Sequence, residues 1–240
     1  MSVTKPAVLI DLDNTILDFD WAEKRALTAA FREVGIEADP QLLARYNAIN
    51  RLQWELLEDG LLTREQVLLR RFEILFEEKG IRASAAGVGE RYEALLADGY
   101  HFLPGAEELL QTISGRYRLY LASNGSASVQ AARIASSGIG RFFDGIFISE
   151  ELGADKPTKD YFCRCFANIP SFDPERALMV GDSLTSDIRG GINAGIRTCW
   201  YNPSGRAPDR EIRPDFEIRS LGELPPLLER LFYQGEEQDA

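Results

Sequence analysis

The chain has few of the residues that build disulfide scaffolds or histidine–cysteine metal sites. It contains three cysteines (Cys163, Cys165 and Cys199) and one histidine. This set forms neither an even disulfide framework nor a metal-ligand pattern, so we expect free, mostly buried thiols in a reducing compartment. Apolar runs of about 18 residues or more, as a membrane-spanning helix requires, are also absent, and none precedes Asp11. We therefore expect a soluble, cytoplasmic protein.

Positive charge is scarce as well. There are 27 Lys and Arg residues against 38 Asp and Glu residues, for a net charge of −11. This balance argues against nucleic-acid polymers and membranes as partners. It permits a small anionic substrate, provided that a metal ion and local donors reverse the field at its site. At 240 residues with 45% apolar content, the chain suffices for one large domain or for a core domain with a smaller insert.

The most informative stretch runs from Ala7 to Thr15. Four apolar residues, Ala7–Ile10, predict a strand buried on both faces. Asp11 and Asp13 follow, and in an extended chain this spacing puts both side chains on the same side. Two carboxylates held close together repel each other, which indicates a hard divalent cation, an acid/base role, or both. The alternative for this stretch alone is an ordinary strand-to-loop junction, where Asp and Asn favour turns.

The rest of the chain divides into two kinds of pattern. Helical periodicity predicts four helices, at 21–34, 40–57, 63–79 and 86–97, which we interpret as a helical bundle inserted after the first strand. From Pro104 onward, predicted helices alternate with buried strands at 118–122, 145–148, 177–180, 197–201 and 216–218. This alternation predicts an α/β fold with a Rossmann-like, doubly wound, mainly parallel sheet. The predicted domains are a core at 1–17 and 101–240 and a helical cap at 18–100. The polar tail at 234–240 is predicted to fray.

Polar residues follow three further strands of the predicted sheet. Ser123, Asn124 and Gly125 lead from one strand into a helix, where a hydroxyl and free N–H groups suit a phosphate. Lys156 lies in the loop after the next strand, and Asp182 and Asp187 follow the one after that. Each feature alone has an ordinary explanation, as a helix cap or an exposed lysine. Ligands of such sheets bind at the carboxyl ends of the strands, and there all of these residues are expected to meet.

These residues resemble the motifs of the haloacid dehalogenase-like (HAD) phosphohydrolases. The four motifs occur in order as Asp11-Leu12-Asp13-Asn14-Thr15, Ser123, Lys156, and Gly181-Asp182-Ser183 with Asp187. The resemblance covers essentially the whole chain, and the helical insert lies where the family carries its first (C1) type of cap.

The resemblance implies a role for each of these residues. Asp11 is implied as the nucleophile that forms an aspartyl-phosphate, and Asp13 as the group that protonates the leaving oxygen and then activates water. Phosphate binding is implied for Ser123 and Lys156, and we assign the amides of Asn124 and Gly125 to the same task. Mg²⁺ is implied to bind Asp11, the Asp13 backbone carbonyl and Asp182, with Asp187 as a supporting group. The aspartate at position 13 favours a phosphate ester over a carbon–halogen bond, because the dehalogenases of this fold lack it.

The implied substrate is a small phosphate ester. The segments around Leu17–Asp20 and from Gly181 to Pro203 resemble the pyrimidine 5′-nucleotidase branch, which acts on nucleoside monophosphates. The alternatives are a HAD phosphatase for another metabolite, such as phosphoglycolate or a sugar phosphate, and a phosphomutase. A binding or regulatory module without turnover is a further alternative, against which Asp13 argues, since binding alone does not need it. We expect a monomer or a homodimer.

Overall fold

A computed structural model of the chain describes residues 4–207 and 211–233; the predicted frayed tail at 234–240 lies outside this part. Ten α-helices and six strands occur in the described residues, in the following order: β1 Ala7–Ile10, α1 Phe19–Glu33, α2 Pro40–Glu58, α3 Arg64–Lys79, α4 Ala85–Ala97, α5 Ala106–Ile113, β2 Arg118–Ser123, α6 Ala127–Ser137, β3 Gly145–Ile148, α7 Ser149–Leu152, α8 Lys159–Ala167, β4 Ala177–Gly181, α9 Arg189–Ala194, β5 Arg197–Tyr201, β6 Phe216–Ile218 and α10 Leu224–Phe232. In these ranges no helix combines the length and the apolar character that crossing a membrane requires.

The six strands form one sheet in the order β3-β2-β1-β4-β5-β6. Every neighbouring pair is parallel, which confirms the predicted fold class. The chain moves outward from β1 to β3 and then returns to the other side of β1 for β4. The topological switch point therefore lies between β1 and β4, where sheets of this kind bind their ligands.

The centre of the sheet is buried on both faces. Ala7 and Leu9 of β1 pack with Tyr161 and Phe162 of α8. Val8 and Ile10 point to the opposite face and are also fully buried. A strand that is buried on both faces requires a continuous apolar run in the sequence. β1 ends where this run ends, at Ile10, and the first carboxylate, Asp11, follows directly.

Contacts group the chain into two compact units. The sheet unit contains the described residues up to 18, Phe102–Ala127, and the described residues from 137 onward. The helical unit contains Phe19–His101 together with Ser128–Ser136. Val129 belongs to the apolar core of the helical unit, and the buried Arg133 donates to the Gly99 carbonyl at 3.1 Å. No local pattern in the sequence predicts that Ser128–Ser136 joins this unit.

Helix α2 begins, and helix α3 begins and ends, at capping residues. Asp39 accepts hydrogen bonds at the start of α2, ahead of Pro40, and Thr63 forms a capping box with Gln66 at the start of α3. Gly80 ends α3 in the left-handed conformation, with φ 64°. Capping thus fixes the lengths of these helices from local sequence alone.

A buried polar chain crosses the helical unit. Asn50 of α2 donates to Glu23 of α1 at 2.8 Å. Arg71 of α3 donates to Asn50 at 3.2 Å and to Glu93 of α4 at 2.6 Å. Its guanidinium carbon lies 4.9 Å from the centroid of the Tyr92 ring. Since one connected network joins all four helices, it constrains their mutual register in addition to their apolar contacts.

Candidate active site

The turn after β1 gives its two carboxylates different environments. The Asp11 N–H donates to the Val180 carbonyl at 2.9 Å and so extends the ladder between β1 and β4. Its side chain is buried, with the residue 6% exposed, whereas Asp13 is half-buried. Asn14 next adopts the left-handed conformation, with φ 58°, which asparagine tolerates better than most residues. Asp11 is therefore fixed in the interior at the switch point, and Asp13 lies on the turn.

Lys156 connects three elements of the sheet unit. Its Nζ donates to Asp11 Oδ1 at 2.7 Å, to Asp187 Oδ1 at 2.6 Å and to the Ala122 carbonyl at 2.7 Å. These acceptors match the three protons of the ammonium group. Burial opposes its charge, but Asp11 and Asp187 outweigh that effect, so the pKa of Lys156 lies above its usual value. The group is a buried permanent cation that holds Asp11 in place.

Asn124 clamps the backbone of Lys156 from the loop after β2. Its side-chain oxygen accepts from the Lys156 N–H at 2.8 Å, and its side-chain amide donates to the Lys156 carbonyl at 2.8 Å. Ser123, also buried, accepts from the Gly125 N–H at 3.2 Å. The side chain of Asn124 thus positions the lysine, while the loop between β2 and α6 brings Ser123, Asn124 and Gly125 to the same sheet edge as Asp11.

The segment after β4 begins with a wide turn instead of a regular α-helix. Residues Leu184–Ile188 form a π-helical turn before α9, because the Ile188 N–H reaches the Ser183 carbonyl five residues back at 3.1 Å. The Ser183 N–H donates to Asp187 Oδ2 at 3.0 Å. The wider turn accompanies a buried Asp187 carboxylate, whose other oxygen, Oδ1, accepts a hydrogen bond from Lys156 Nζ.

Gly181 has a role that motif reading did not identify. A Cβ placed on it would lie 2.1 Å from Asp187 Oδ2 and 2.3 Å from Asp187 Cγ. Only glycine leaves room for this carboxylate against β4. The signal in the sequence is a glycine that directly precedes Asp182 at the end of a buried strand.

Three carboxylates of the sheet unit converge on one point. Asp11, Asp182 and Asp187 each offer an oxygen, and these atoms lie within 4.8 Å of one another. The pKa of Asp11 is raised to about 7, mainly by burial; the charge of Lys156 opposes this rise, and the charges of Asp187 and Asp13 add to it. Burial, followed by the charges of Asp11 and Asp187, raises the pKa of Asp182 well above its usual value. A cluster of hard oxygen donors whose charges oppose one another fits Mg²⁺, which would relieve that repulsion.

The structure brings most of the predicted site residues together. Asp11, Lys156, Asp182 and Asp187 meet at the switch point, with Asp187 inside the acidic cluster. Among the described residues, the group of carboxylates whose oxygens lie within 4.8 Å of one another does not include Asp13. The predicted metal ligand at this position is the backbone carbonyl of Asp13, and that role stays a prediction. Besides Gly181, the sequence reasoning missed the contacts that Trp200 and Arg206 make with Asp182.

Comparison with known families identifies this arrangement. A model of the haloacid dehalogenase-like hydrolases matches residues 5–195. The chain belongs to the HAD hydrolases. Membership confirms the family that the four motifs predict, and with it the enzyme class, a hydrolase of the HAD phosphatase type.

Several similar proteins cover nearly the whole length of this HAD hydrolase. The pyrimidine 5′-nucleotidase PynA of Streptococcus pneumoniae is 38% identical over 93% of this chain and 94% of its own. The pyrimidine 5′-nucleotidase YjjG of Escherichia coli is 33% identical over 92% of this chain and 96% of its own. The crystal structure of the HAD hydrolase YfnB from Bacillus subtilis, bound to magnesium, has a TM-score of 0.89 at 40% identity and covers 93% of this chain and 98% of its own.

Proposed function

We propose that this HAD hydrolase is a Mg²⁺-dependent 5′-nucleotidase that removes phosphate from pyrimidine nucleoside monophosphates through an aspartyl-phosphate on Asp11. The observation that carries the proposal is the buried Asp11, held by Lys156 at 2.7 Å beside Asp182 and Asp187. Similarity to two pyrimidine 5′-nucleotidases supports the substrate class.

Each step of the reaction has a residue in the sheet unit. Asp11 attacks phosphorus, the bond from phosphorus to the ester oxygen breaks, and Asp13 gives its proton to the departing nucleoside oxygen. Water then attacks the same phosphorus and transfers a proton to Asp13. The bond to Asp11 breaks, and inorganic phosphate leaves. The half-buried position of Asp13 suits this proton exchange, because the group must meet both the substrate and water.

The phosphoryl oxygens need a positive charge and hydrogen-bond donors around them. We assign this role to Lys156, the Ser123 hydroxyl and the backbone N–H groups of Asn124 and Gly125, which lie at one sheet edge. Lys156 and the Gly125 N–H would each exchange a present acceptor for a phosphoryl oxygen. Lys156 also keeps Asp11 oriented, and thereby restricts the nucleophile to one direction of attack.

Asp11, Asp182 and the Asp13 carbonyl would hold the magnesium ion, with Asp187 as a supporting group. When bound, the ion offsets the repulsion between the Asp11 carboxylate and the anionic phosphate. Asp187 shares its other contacts with Lys156 and Ser183, so it acts mainly by keeping the acidic cluster assembled.

The test is phosphate release from a panel of pyrimidine and purine nucleoside monophosphates, phosphoglycolate and sugar phosphates, with Mg²⁺ and with EDTA. We expect the highest kcat/KM on a pyrimidine nucleotide, no turnover in EDTA, and turnover lowered by about two to four orders of magnitude in the Asp11→Asn variant. Preference for a sugar phosphate or phosphoglycolate would refute the nucleotidase assignment but leave the phosphatase intact. A phosphorylated product without free phosphate would instead indicate a phosphomutase.

A further inference from the structure

The backbone carbonyl of Asp182 accepts two side-chain hydrogen bonds that the motifs do not explain. Trp200 Nε1 donates to it at 2.9 Å, and Arg206 Nη2 also donates to it at 2.9 Å. Trp200 is fully buried on β5, whereas the Arg206 side chain is 55% exposed and lies in the loop that follows. The same guanidinium is 3.8 Å from Asp182 Oδ2.

Hydrogen bonds from Asn202 hold the backbone of Arg206 after β5. Asn202, fully buried, accepts from the Arg206 N–H at 2.9 Å and donates to the Arg206 carbonyl at 2.9 Å. It also donates to Glu217 of β6 at 2.8 Å. The guanidinium carbon lies 5.6 Å from the centroid of the Trp200 ring. An exposed arginine that is fixed at its backbone and over an aromatic ring loses less entropy when it binds a carbonyl.

This arrangement repeats the clamp on the other side of the site. Asn124 holds Lys156 through the same pair of backbone bonds, and Lys156 serves Asp11 and Asp187. Asn202 bonds the backbone N–H and carbonyl of Arg206 in the same way, and the Arg206 guanidinium donates to the Asp182 carbonyl. Each carboxylate of the acidic cluster therefore contacts a cation whose backbone is clamped by an asparagine.

The Asp182 carbonyl belongs to the same planar peptide group as the Ser183 N–H. That N–H donates to Asp187 Oδ2 at 3.0 Å. When Trp200 and Arg206 hold the Asp182 carbonyl, they therefore also hold the Ser183 N–H in its orientation toward Asp187. The peptide thus holds the Asp187 carboxylate, and Arg206 lies 3.8 Å from the Asp182 carboxylate.

We infer that Arg206 is a positioning residue for the metal site, which acts by holding the Asp182–Ser183 peptide so that Asp182 and Asp187 face Asp11. The inference rests on the proposed Mg²⁺-dependent function. The effect of Arg206 on Mg²⁺ affinity has the opposite sign to a simple charge effect. A cation that only repelled Mg²⁺ would weaken Mg²⁺ binding, so its removal would strengthen binding.

The experiment is a calorimetric Mg²⁺ titration of the metal-free wild type, Arg206→Met and Arg116→Met. Arg116 is the matched control, since its side chain is 56% exposed, pairs with Glu229 and, within the described residues, has no contact with the Asn202 network. We expect Arg206→Met to bind Mg²⁺ about tenfold more weakly than the wild type, as losses of groups behind metal ligands do. Arg116→Met should bind like the wild type, and excess Mg²⁺ should restore the kcat of Arg206→Met.

Unchanged or tighter Mg²⁺ binding by Arg206→Met would overturn the inference, as would a kcat deficit that excess Mg²⁺ does not repair. Absence of Mg²⁺ binding by the wild type would overturn the proposed function together with it. Asn202→Ala, which keeps the guanidinium but removes its clamp, should weaken binding in the same direction and carries the test if Arg206→Met does not fold.

Discussion

Lys156→Met is expected to lower the stability of the sheet unit by about 3–5 kcal/mol. Nζ donates to two carboxylates and one carbonyl, and the side chain is 1% exposed, so solvent screens these bonds little. Removing one partner from a buried ion pair costs about 3–5 kcal/mol. Because one ammonium serves both Asp11 and Asp187, we expect a loss in this range. Protonation of the stranded carboxylates keeps it from growing further.

Urea unfolding of the metal-free protein, followed by circular dichroism, measures this loss. With a slope of about 3 kcal/mol per molar urea, the midpoint should fall by about 1–2 M. Lys159→Met is the matched control, since Lys159 is exposed three residues further on and should change stability by less than about 0.5 kcal/mol. The double variant Lys156→Met/Asp187→Asn should lose less than the sum of its single changes. A Lys156→Met midpoint equal to that of the control would refute the reasoning.

Four further substitutions test other contacts. Asp11→Asn and Asp13→Asn should each lower turnover by about two to four orders of magnitude without changing the circular dichroism spectrum, since each removes a reacting group. Gly181→Ala should lower the free energy of unfolding by about 1–3 kcal/mol and weaken Mg²⁺ binding, because its Cβ would meet Asp187 Oδ2 at 2.1 Å. Burial, opposed by Arg71, raises the pKa of Glu23 from 4.5 to about 7, so the folded chain keeps a proton that the unfolded chain releases. The contribution of this proton to the free energy of unfolding is fully present below pH 4.5 and is lost as the pH rises through about 7. Above that pH, the free energy of unfolding of the wild type should have fallen by about 3 kcal/mol relative to that of Glu23→Gln.

The controls for these variants are specific. Gly222→Ala adds the same methyl group where the nearest atom is 3.7 Å away, so it should leave Mg²⁺ binding unchanged. Full turnover in Asp11→Asn would eliminate the covalent mechanism. A constant difference in unfolding free energy between the wild type and Glu23→Gln across pH 5 to 8, a range of about three units, would contradict the assigned proton uptake.

Features set by local sequence could be predicted. The apolar run Ala7–Ile10 followed by Asp11 defines β1 and its end, and the caps at Asp39 and Thr63 define two helix starts. Parallel order then follows from the alternation of helices and strands, and it brings the strand ends to one edge. For that reason the acidic cluster and Lys156 could be assigned to one place before any coordinates were known.

Features set by long-range geometry could not be predicted. Lys156 reaches Asp11 across 145 positions and Asp187 across 31, and nothing periodic in the sequence encodes those bonds. The π-helical turn at Leu184–Ile188 depends on Asp187 being drawn inward, which overrides the helical pattern of the same residues. The contact of Arg206 with Asp182 likewise depends on the conformation of an irregular loop, clamped by Asn202.

The central claim is that Asp11 receives the phosphoryl group. It is tested most directly by quenching the wild type in acid within the first turnover of a pyrimidine nucleotide with Mg²⁺ and mapping the modified peptide by mass spectrometry. We predict one phosphoryl group on Asp11, released by hydroxylamine and absent from Asp11→Asn. A phosphorylated residue other than Asp11, or steady turnover with an unmodified Asp11 at every quench time, would contradict the account.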